Sequence, residues 1–396
     1  MRVFLGAFGD PGHAFPMLAL GEALVARGHS VAIETWRRWE DAGRAGGMTF
    51  CAAPEYQVFP TAARPLKPYA AAVRAAGQTR VSVRDFAPDV VVSDVLTPAP
   101  ALAAELEGVP VATLVPHVFP YLAPGLPPYS IGARRPRTRV GARLWRLTDR
   151  AVAIGLEQGR REYNECRARL GLPPLPWVHT GLSRSLTLVA TLPQLEYPRA
   201  WPGWLRLVGP LMWEPPGEPV APPEGAGPVV LVAPSTAQDE EHRLLRAALA
   251  GLAREPVRVI ATWNGRDPSP PVSVPDNAVL VPWLSYSQTM PSCDVVVCHG
   301  GHGTLMRALT TGCPVVVCPA GGDMAENAAR VDWAGVGVRL PGRWCNPRGV
   351  RLAVARALAS PSLRPRARGV AAWAAAHDTR ARAAAELERW AATTGG

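Results

Sequence analysis

The stretch Val295-Val296-Val297-Cys298-His299-Gly300-Gly301-His302-Gly303-Thr304 constrains the fold of this chain more than any other segment. Three valines and a cysteine read as a strand buried on both faces, and it stops at a His followed by three glycines in four positions. Residues 305–311 read as a helix packing back onto the sheet, and Pro314-Val315-Val316-Val317-Cys318-Pro319 supplies the next parallel strand. A strand, a glycine-rich turn and a helix N-terminus in this order form an anion site. Glycine lets the backbone approach closely, while free N–H groups and the helix dipole attract negative charge. The His at the mouth adds a donor that can carry charge. The segment predicts a diphosphate-binding turn.

The same alternation runs along the whole chain. Residues 2–7 read as a first strand, 16–27 as an amphipathic helix closed by Gly28, and 30–34 as a second strand. Residues 89–93 read as a strand, Thr97-Pro98 as the N-cap and first position of a helix, 109–115 as another strand and 148–170 as a long helix. Residues 210–228 hold seven prolines and no periodicity, which predicts a semi-rigid linker. The pattern then restarts with strands at 229–233, 257–262 and 279–282, a helix at 240–254, and an alanine-rich, largely helical stretch from 347 broken near Pro361 and Pro365. This predicts two Rossmann-like βαβ domains, 1–209 and 229–375, facing each other across an interdomain cleft.

With 42 Lys and Arg against 32 Asp and Glu the chain carries +10, but the arginines are dispersed among alanines. No basic run interleaves with aromatics, so the charge points away from nucleic acid and toward an anionic substrate. Gly9-Asp10-Pro11 interrupts any signal-like apolar stretch, and nothing approaches the roughly 18 apolar residues of a membrane span. Seven cysteines without framework spacing predict a reducing, cytoplasmic setting. Cys293, Cys298, Cys313 and Cys318 form two C-x4-C pairs, but two of these thiols fall inside apolar strand runs, which favours core packing over zinc.

Several residues sit where chemistry is expected. His13 follows the first strand, in a stretch read as a loop, and is a candidate general base; a turn-packing His is the equal alternative. Asp94 ends another strand of the same sheet, where it can hold the far nitrogen of His13. Ser235 and Thr236 follow the first strand after the linker, suited to phosphate contact or turn capping. Trp283, at a strand end, suits stacking on a base or core packing. Asp323 can accept from sugar hydroxyls or cap the helix after it. No Asp-x-Asp pair occurs, so no metal held by paired carboxylates is expected. Gly6, Gly9 and Gly12 with Glu34 offer a dinucleotide fingerprint, but the spacing is wrong and Pro11 removes an N–H that phosphate needs.

Taken together, Trp283-Leu284, then His299-Gly300-Gly301-His302-Gly303-Thr304 sixteen residues after the Trp, then Asp323 and Asn327, resemble the family 1 glycosyltransferases of the GT-B fold, especially bacterial enzymes that decorate natural products. The resemblance implies a metal-independent, inverting single displacement with no cofactor beyond the nucleotide-sugar substrate. It implies His13 as the base and Asp94 as its partner, Trp283 on the nucleobase, His299 and Thr304 on the diphosphate, and Asp323 on the sugar. Leu284, Tyr286, Gly322 and Met324 complete the implied donor set. It further implies that residues 376–396 form a helix returning to the first domain.

Three positions depart from the family pattern: Ser285-Tyr286 replaces a common Gln, Arg307 a ribose-binding Glu, and Met324 a sugar-gripping Gln. An unpaired buried polar group is penalised, so fewer polar partners suit a 2′-deoxyribose and a deoxysugar, which points to dTDP rather than UDP. For the acceptor, Gly12, His117 and the aromatics Trp36, Trp39, Phe59, Tyr69, Phe119, Tyr121 and Tyr129 are candidates to line an apolar pocket for a small lipophilic natural product. Partners are thus a nucleotide sugar and a small molecule, with no nucleic acid or membrane, and the chain is expected as a monomer or homodimer. A nucleotide-sugar epimerase, a non-catalytic auxiliary paralogue and a dinucleotide-dependent oxidoreductase are the alternative readings. The first lacks an evident carboxylate pair, and the presence of both His13 and Asp94 argues against the second.

Overall fold

The computed structural model describes residues 1–54, 68–120, 123–179, 181–235, 239 and 241–394. Phe59, Tyr121 and Thr236 lie outside the described residues, and of Tyr69 only its place in a helix is described.

The β-branched runs form two fully parallel sheets. The first comprises β1 (Arg2–Gly6), β2 (Ser30–Thr35), β3 (Thr49–Ala52), β4 (Val90–Asp94), β5 (Val111–Val115), β6 (Thr187–Val189) and β7 (Leu205–Leu207), in the order β3-β2-β1-β4-β5-β6-β7. The second comprises β8 (Val229–Ala233), β9 (Arg258–Thr262), β10 (Ala278–Val281), β11 (Val295–Cys298), β12 (Val315–Val317) and β13 (Gly337–Arg339), in the order β10-β9-β8-β11-β12-β13. Every residue of β4, β8 and β11 is buried, as both-face helix cover demands of central parallel strands. In each sheet the strand order reverses between two central neighbours, β1 with β4 and β8 with β11. There Leu5 pairs with Val92, and Val297 pairs with Val232. Ligands of such sheets bind beyond the carboxyl ends of these strands, and both switch points open on the same cleft.

The helices are α1 (Pro11–Ala26), α2 (Glu40–Ala45), α3 (Pro68–Phe86), α4 (Pro98–Leu106), α5 (Arg139–Arg169), α6 (Arg243–Leu252), α7 (Tyr286–Thr289), α8 (His302–Thr310), α9 (Met324–Ala334), α10 (Pro347–Ala359), α11 (Leu363–Ala375) and α12 (Thr379–Thr394). Helix α1 begins five residues earlier than its sequence pattern suggests. Pro11 sits at the first position, where its missing N–H costs nothing, and Pro16 is carried inside the helix. His13 therefore stands in a helical turn rather than a loop. Helix α5 also starts early, at a Thr138 cap whose hydroxyl accepts from Gly141 N–H at 3.1 Å. Helix α6 is shorter at both ends than the predicted 240–254. The Thr97 side chain makes no capping bond to α4, contrary to its expected role.

Residues 210–228 cross between the sheets without regular structure. The last helix, α12, buries Ala383, Ala384, Leu387 and Trp390 in the core of the first sheet, and Trp390 Nε1 donates to Ser185 Oγ at 2.6 Å. The two halves share buried structure: Val118, Leu192 and Leu195 pack with Leu231, Val296 and Leu305 in one cluster. Beside it, the fully buried Arg330 of α9 pairs with Glu196 from the first half (2.8 Å) and with Glu326 (2.9 Å). Among the described residues no helix is long and apolar enough to cross a membrane.

Candidate active site

The cleft between the sheets holds a cavity open to solvent. Its walls include the first turn of α1, the turn and first residues of α8, the stretch Pro210–Glu214 that follows β7, and Trp283, Tyr286 and Asn264 of the second half.

Strand β1 ends beside β4, so the start of α1 lies next to Asp94 at the end of β4. His13 Nδ1 meets Asp94 Oδ1 at 2.8 Å, and the Asp94 side chain is fully buried. Its other oxygen, Oδ2, accepts from the N–H groups of Phe8 (3.4 Å) and Leu96 (3.3 Å), which fixes the carboxylate. Burial alone would lower the His13 pKa, but the charge and hydrogen bond of Asp94 outweigh it, and the pKa is raised. With Nδ1 committed to Asp94, Nε2 is the ring nitrogen that can take a proton. The rings of His117 and Tyr129 extend the cluster, with His13 to His117 centroids 6.1 Å apart and His117 to Tyr129 6.4 Å apart. His117 Nδ1 bonds Val118 O at 2.8 Å, and burial together with the neighbouring His13 lowers its pKa.

Across the cleft, β11 runs into the turn 299–301 and then α8. Gly300 has φ +92°, and a Cβ there would meet Val317 and Met324, so only glycine fits. Asn327 Nδ2 pins the Gly300 carbonyl at 2.9 Å. At Gly301 a Cβ would come within 2.3 Å of His299 Nε2, so this glycine makes room for the ring. His299 Nδ1 lies 3.3 Å from Ala233 O of the adjacent β8. His302, the first residue of α8, reaches Ala190 O of the first half at 3.2 Å. Burial, and secondarily His117 and His13, push its pKa down to about 3, so it is neutral near pH 7.

Of the donor-side candidates, Trp283, Tyr286, His299, Gly301, His302, Gly303 and Thr304 line the cavity. Ser235, Leu284, Gly300, Gly322, Asp323 and Met324 do not. Leu284 is a core residue, 2 % exposed, because the chain turns inward after Trp283. Asp323 makes no capping bond to α9, and its charge acts on His13 and His117 of the first half and on His299 of the second. Gly12 lines the cavity on the acceptor side. Trp36 meets Phe8, which in turn meets His13, at centroid separations of 5.0 and 6.1 Å. Phe119 departs from its expected role: it is 4 % exposed, packed with Trp201, and belongs to the core. Glu34 is buried against Thr79, which donates to it at 2.7 Å, and burial raises its pKa to about 7; it faces α3, not a nucleotide. Cys293 and Cys313 donate to backbone carbonyls, and no cluster of three or more metal-ligating side chains occurs among the described residues.

Sequence reasoning missed Pro210–Glu214, Pro234 and Asn264. Asn264 holds φ +52°, bonds Pro234 O through Nδ2 at 2.7 Å, and accepts from Tyr286 OH at 3.0 Å, fixing that ring in the wall. The Asn264-Gly265 dipeptide at the end of β9 was a readable turn signal.

Fold and site together define a two-domain α/β protein with a His–Asp pair across a cleft from a glycine-rich turn. A sequence profile described as the C-terminal domain of erythromycin biosynthesis protein CIII-like proteins matches residues 246–389. The chain is 31% identical over 405 residues to 4′-demethylrebeccamycin synthase of Lentzea aerocolonigenes, covering 92% of this chain and 93% of that protein. It is 28% identical to O-mycaminosyltylonolide 6-deoxyallosyltransferase of Streptomyces fradiae, over 99% and 98% of the two chains. Its fold matches the crystal structure of a kitacinnamycin glycotransferase, with TM-score 0.77, 21% identity and 98% of each chain covered. It also matches a calicheamicin glycosyltransferase, with TM-score 0.75, 24% identity and full coverage of both. The chain belongs to the GT-B natural-product glycosyltransferases, and it is a glycosyltransferase.

Proposed function

We propose that this enzyme transfers a deoxysugar from dTDP to a hydroxyl of a small lipophilic acceptor, with inversion, by a single displacement. The observation that carries the reading is the His13–Asp94 pair at 2.8 Å beside a cavity whose far wall is the turn 299–304. In this scheme His13 Nε2 takes the acceptor hydroxyl proton as its oxygen forms the new bond to the anomeric carbon. The bond from that carbon to the diphosphate oxygen breaks, and the electron pair leaves with the diphosphate. Asp94 stabilises the imidazolium that results, as the third member of a triad does. The N-terminus of α8, His299 and Thr304 meet the charge on the departing diphosphate, a role that needs no resident cofactor or metal.

Trp283 offers the face on which a base stacks, with Tyr286 beside it at 6.5 Å between centroids. Asp323 is assigned to the sugar hydroxyls. The apolar side chain of Met324 and the cation of Arg307 suit a donor with fewer hydroxyls. Two solved structures of the same fold, at 20% and 21% identity, carry dTDP or thymidine diphosphate, which supports the same nucleotide here. His117 and Tyr129, close to His13, are assigned to the acceptor. A UDP-sugar donor in the same cleft is the competing reading. Calorimetric titration with dTDP and UDP separates the two: dTDP binds the tighter, by about tenfold or more. Tight UDP-glucose binding with no heat from dTDP overturns the dTDP assignment.

A further inference from the structure

One wall of the cavity belongs to neither sheet. Pro210–Glu214 lines the cavity together with Trp283 and Tyr286, and Glu214 touches the loop that carries both rings. The stretch is strapped to the second half of the molecule: Ser285 N–H donates to Glu218 O at 3.1 Å, and Gln288 Nε2 donates to Gly217 O at 3.0 Å. Glu214 itself turns inward. Its Oε1 accepts from Ser285 Oγ at 2.9 Å, from Ser287 N–H at 3.2 Å and from Ser287 Oγ. Its Oε2 lies 3.2 Å from Arg307 Nε, and both side chains are largely buried, at 16% and 12% exposure. Among the described residues that line the cavity, Glu214 is the only carboxylate.

We propose that Glu214 is a donor-binding residue whose Oε2 accepts the 3′-hydroxyl of the donor nucleotide. This rests on the nucleotide-sugar reading given above and extends it to the pentose. A base stacked on Trp283 and a diphosphate at Gly301–Thr304 leave the pentose to span the wall between them, where Glu214 and Arg307 stand. A pentose hydroxyl donates, and a carboxylate is the strongest acceptor a protein offers it. Each carboxylate oxygen has room for about two hydrogen bonds; Oε1 is saturated, whereas among the described residues Oε2 meets Arg307 alone and keeps a lone pair. Arg307 also removes a difficulty. A bare carboxylate would repel the dianionic or trianionic nucleotide, and the guanidinium cancels its charge at close range. Because Glu214 lies on the segment that joins the two halves, the nucleotide then bridges that segment to the second sheet.

The test compares dTDP with 2′,3′-dideoxythymidine 5′-diphosphate by isothermal titration calorimetry on the whole enzyme. The ligands differ only in the 3′-hydroxyl. Wild type prefers dTDP by about tenfold or more; in Glu214→Gln the preference falls several-fold, and in Glu214→Ala it falls to about unity. Ser287→Ala, which removes a partner of Oε1 only, keeps the wild-type preference. Thermal unfolding of each variant checks folding, and Glu214→Gln, which keeps shape and the serine contacts, carries the test if the alanine variant is unfolded. A wild-type preference near unity, or a preference unchanged in Glu214→Gln and Glu214→Ala, overturns the assignment. If the wild type binds neither dTDP nor UDP, the nucleotide-sugar reading itself fails, and this assignment falls with it.

Discussion

His13 stands in the first turn of α1, where the helix dipole disfavours a positive charge, and it is buried, which disfavours charge again. Its pKa is nonetheless raised, by the charge and hydrogen bond of Asp94 and, after it, by the charges of Asp323 and Asp10. Asp94 is the largest of these partners, which yields a pH prediction of definite sign. A general base works only when unprotonated, so the acid limb of kcat/KM reports the raised pKa of His13 and lies above the unperturbed imidazole value. In Asp94→Asn the charge is gone while burial stays, so the limb moves to lower pH. The plateau also falls, by at least on the order of 10²-fold, because the imidazolium formed in the transition state loses its counter-charge. A pH–rate profile with any hydroxyl acceptor that wild type turns over measures both, and a limb that does not move contradicts the dyad. At this scale the sequence showed His13 and Asp94 as strand-end residues of one sheet. Their contact was also legible as strand ends of one sheet, and it stands at 2.8 Å; what was not legible is that His13 sits in a helical turn, because α1 starts at Pro11, five residues before the apolar periodicity begins.

The strand–turn–helix 295–310 is the element most fully written in the sequence, since a β-branched run and closely spaced glycines leave few other structures open. Its two adjacent glycines serve different ends. Gly300 satisfies a backbone conformation, and Gly301 clears space for an imidazole. Gly301→Ala thus displaces the His299 ring without straining φ. We expect dTDP affinity to fall by about tenfold with little change in melting temperature, as one misplaced contact to the diphosphate would produce. Unchanged affinity in a titration of the folded variant shows that His299 does not touch the nucleotide. Other elements were read less well for identifiable reasons. Helix α5 begins nine residues before its predicted start because the Thr138 cap, not the apolar periodicity, sets its first turn. An aromatic near a strand end looks the same in sequence whether it faces a cleft or, as Phe119 does, packs on Trp201.

Across the whole molecule, the doubly wound order of both sheets follows from the repeated βα pattern, and the switch points β1/β4 and β8/β11 locate the cleft. The part the sequence withheld is how the halves are joined. Residues 210–228 read as a spacer, since proline-rich composition carries no sign of what it will touch, yet Pro210–Glu214 is a wall of the cavity. Likewise Arg330 pairs with Glu196 across the domain boundary, although 134 residues separate them and neither lies in a recognisable motif. Removing either member of such a buried pair leaves an uncompensated charge and is destabilising. The pair joins the half that carries His13 to the half that carries the turn 299–304. The most direct test is His13→Ala, read by turnover and by dTDP titration together. Transfer is expected to fall by about 10²- to 10⁴-fold with dTDP affinity within about twofold of wild type, since the proposed base meets the acceptor and not the nucleotide. Wild-type turnover in His13→Ala would contradict that role.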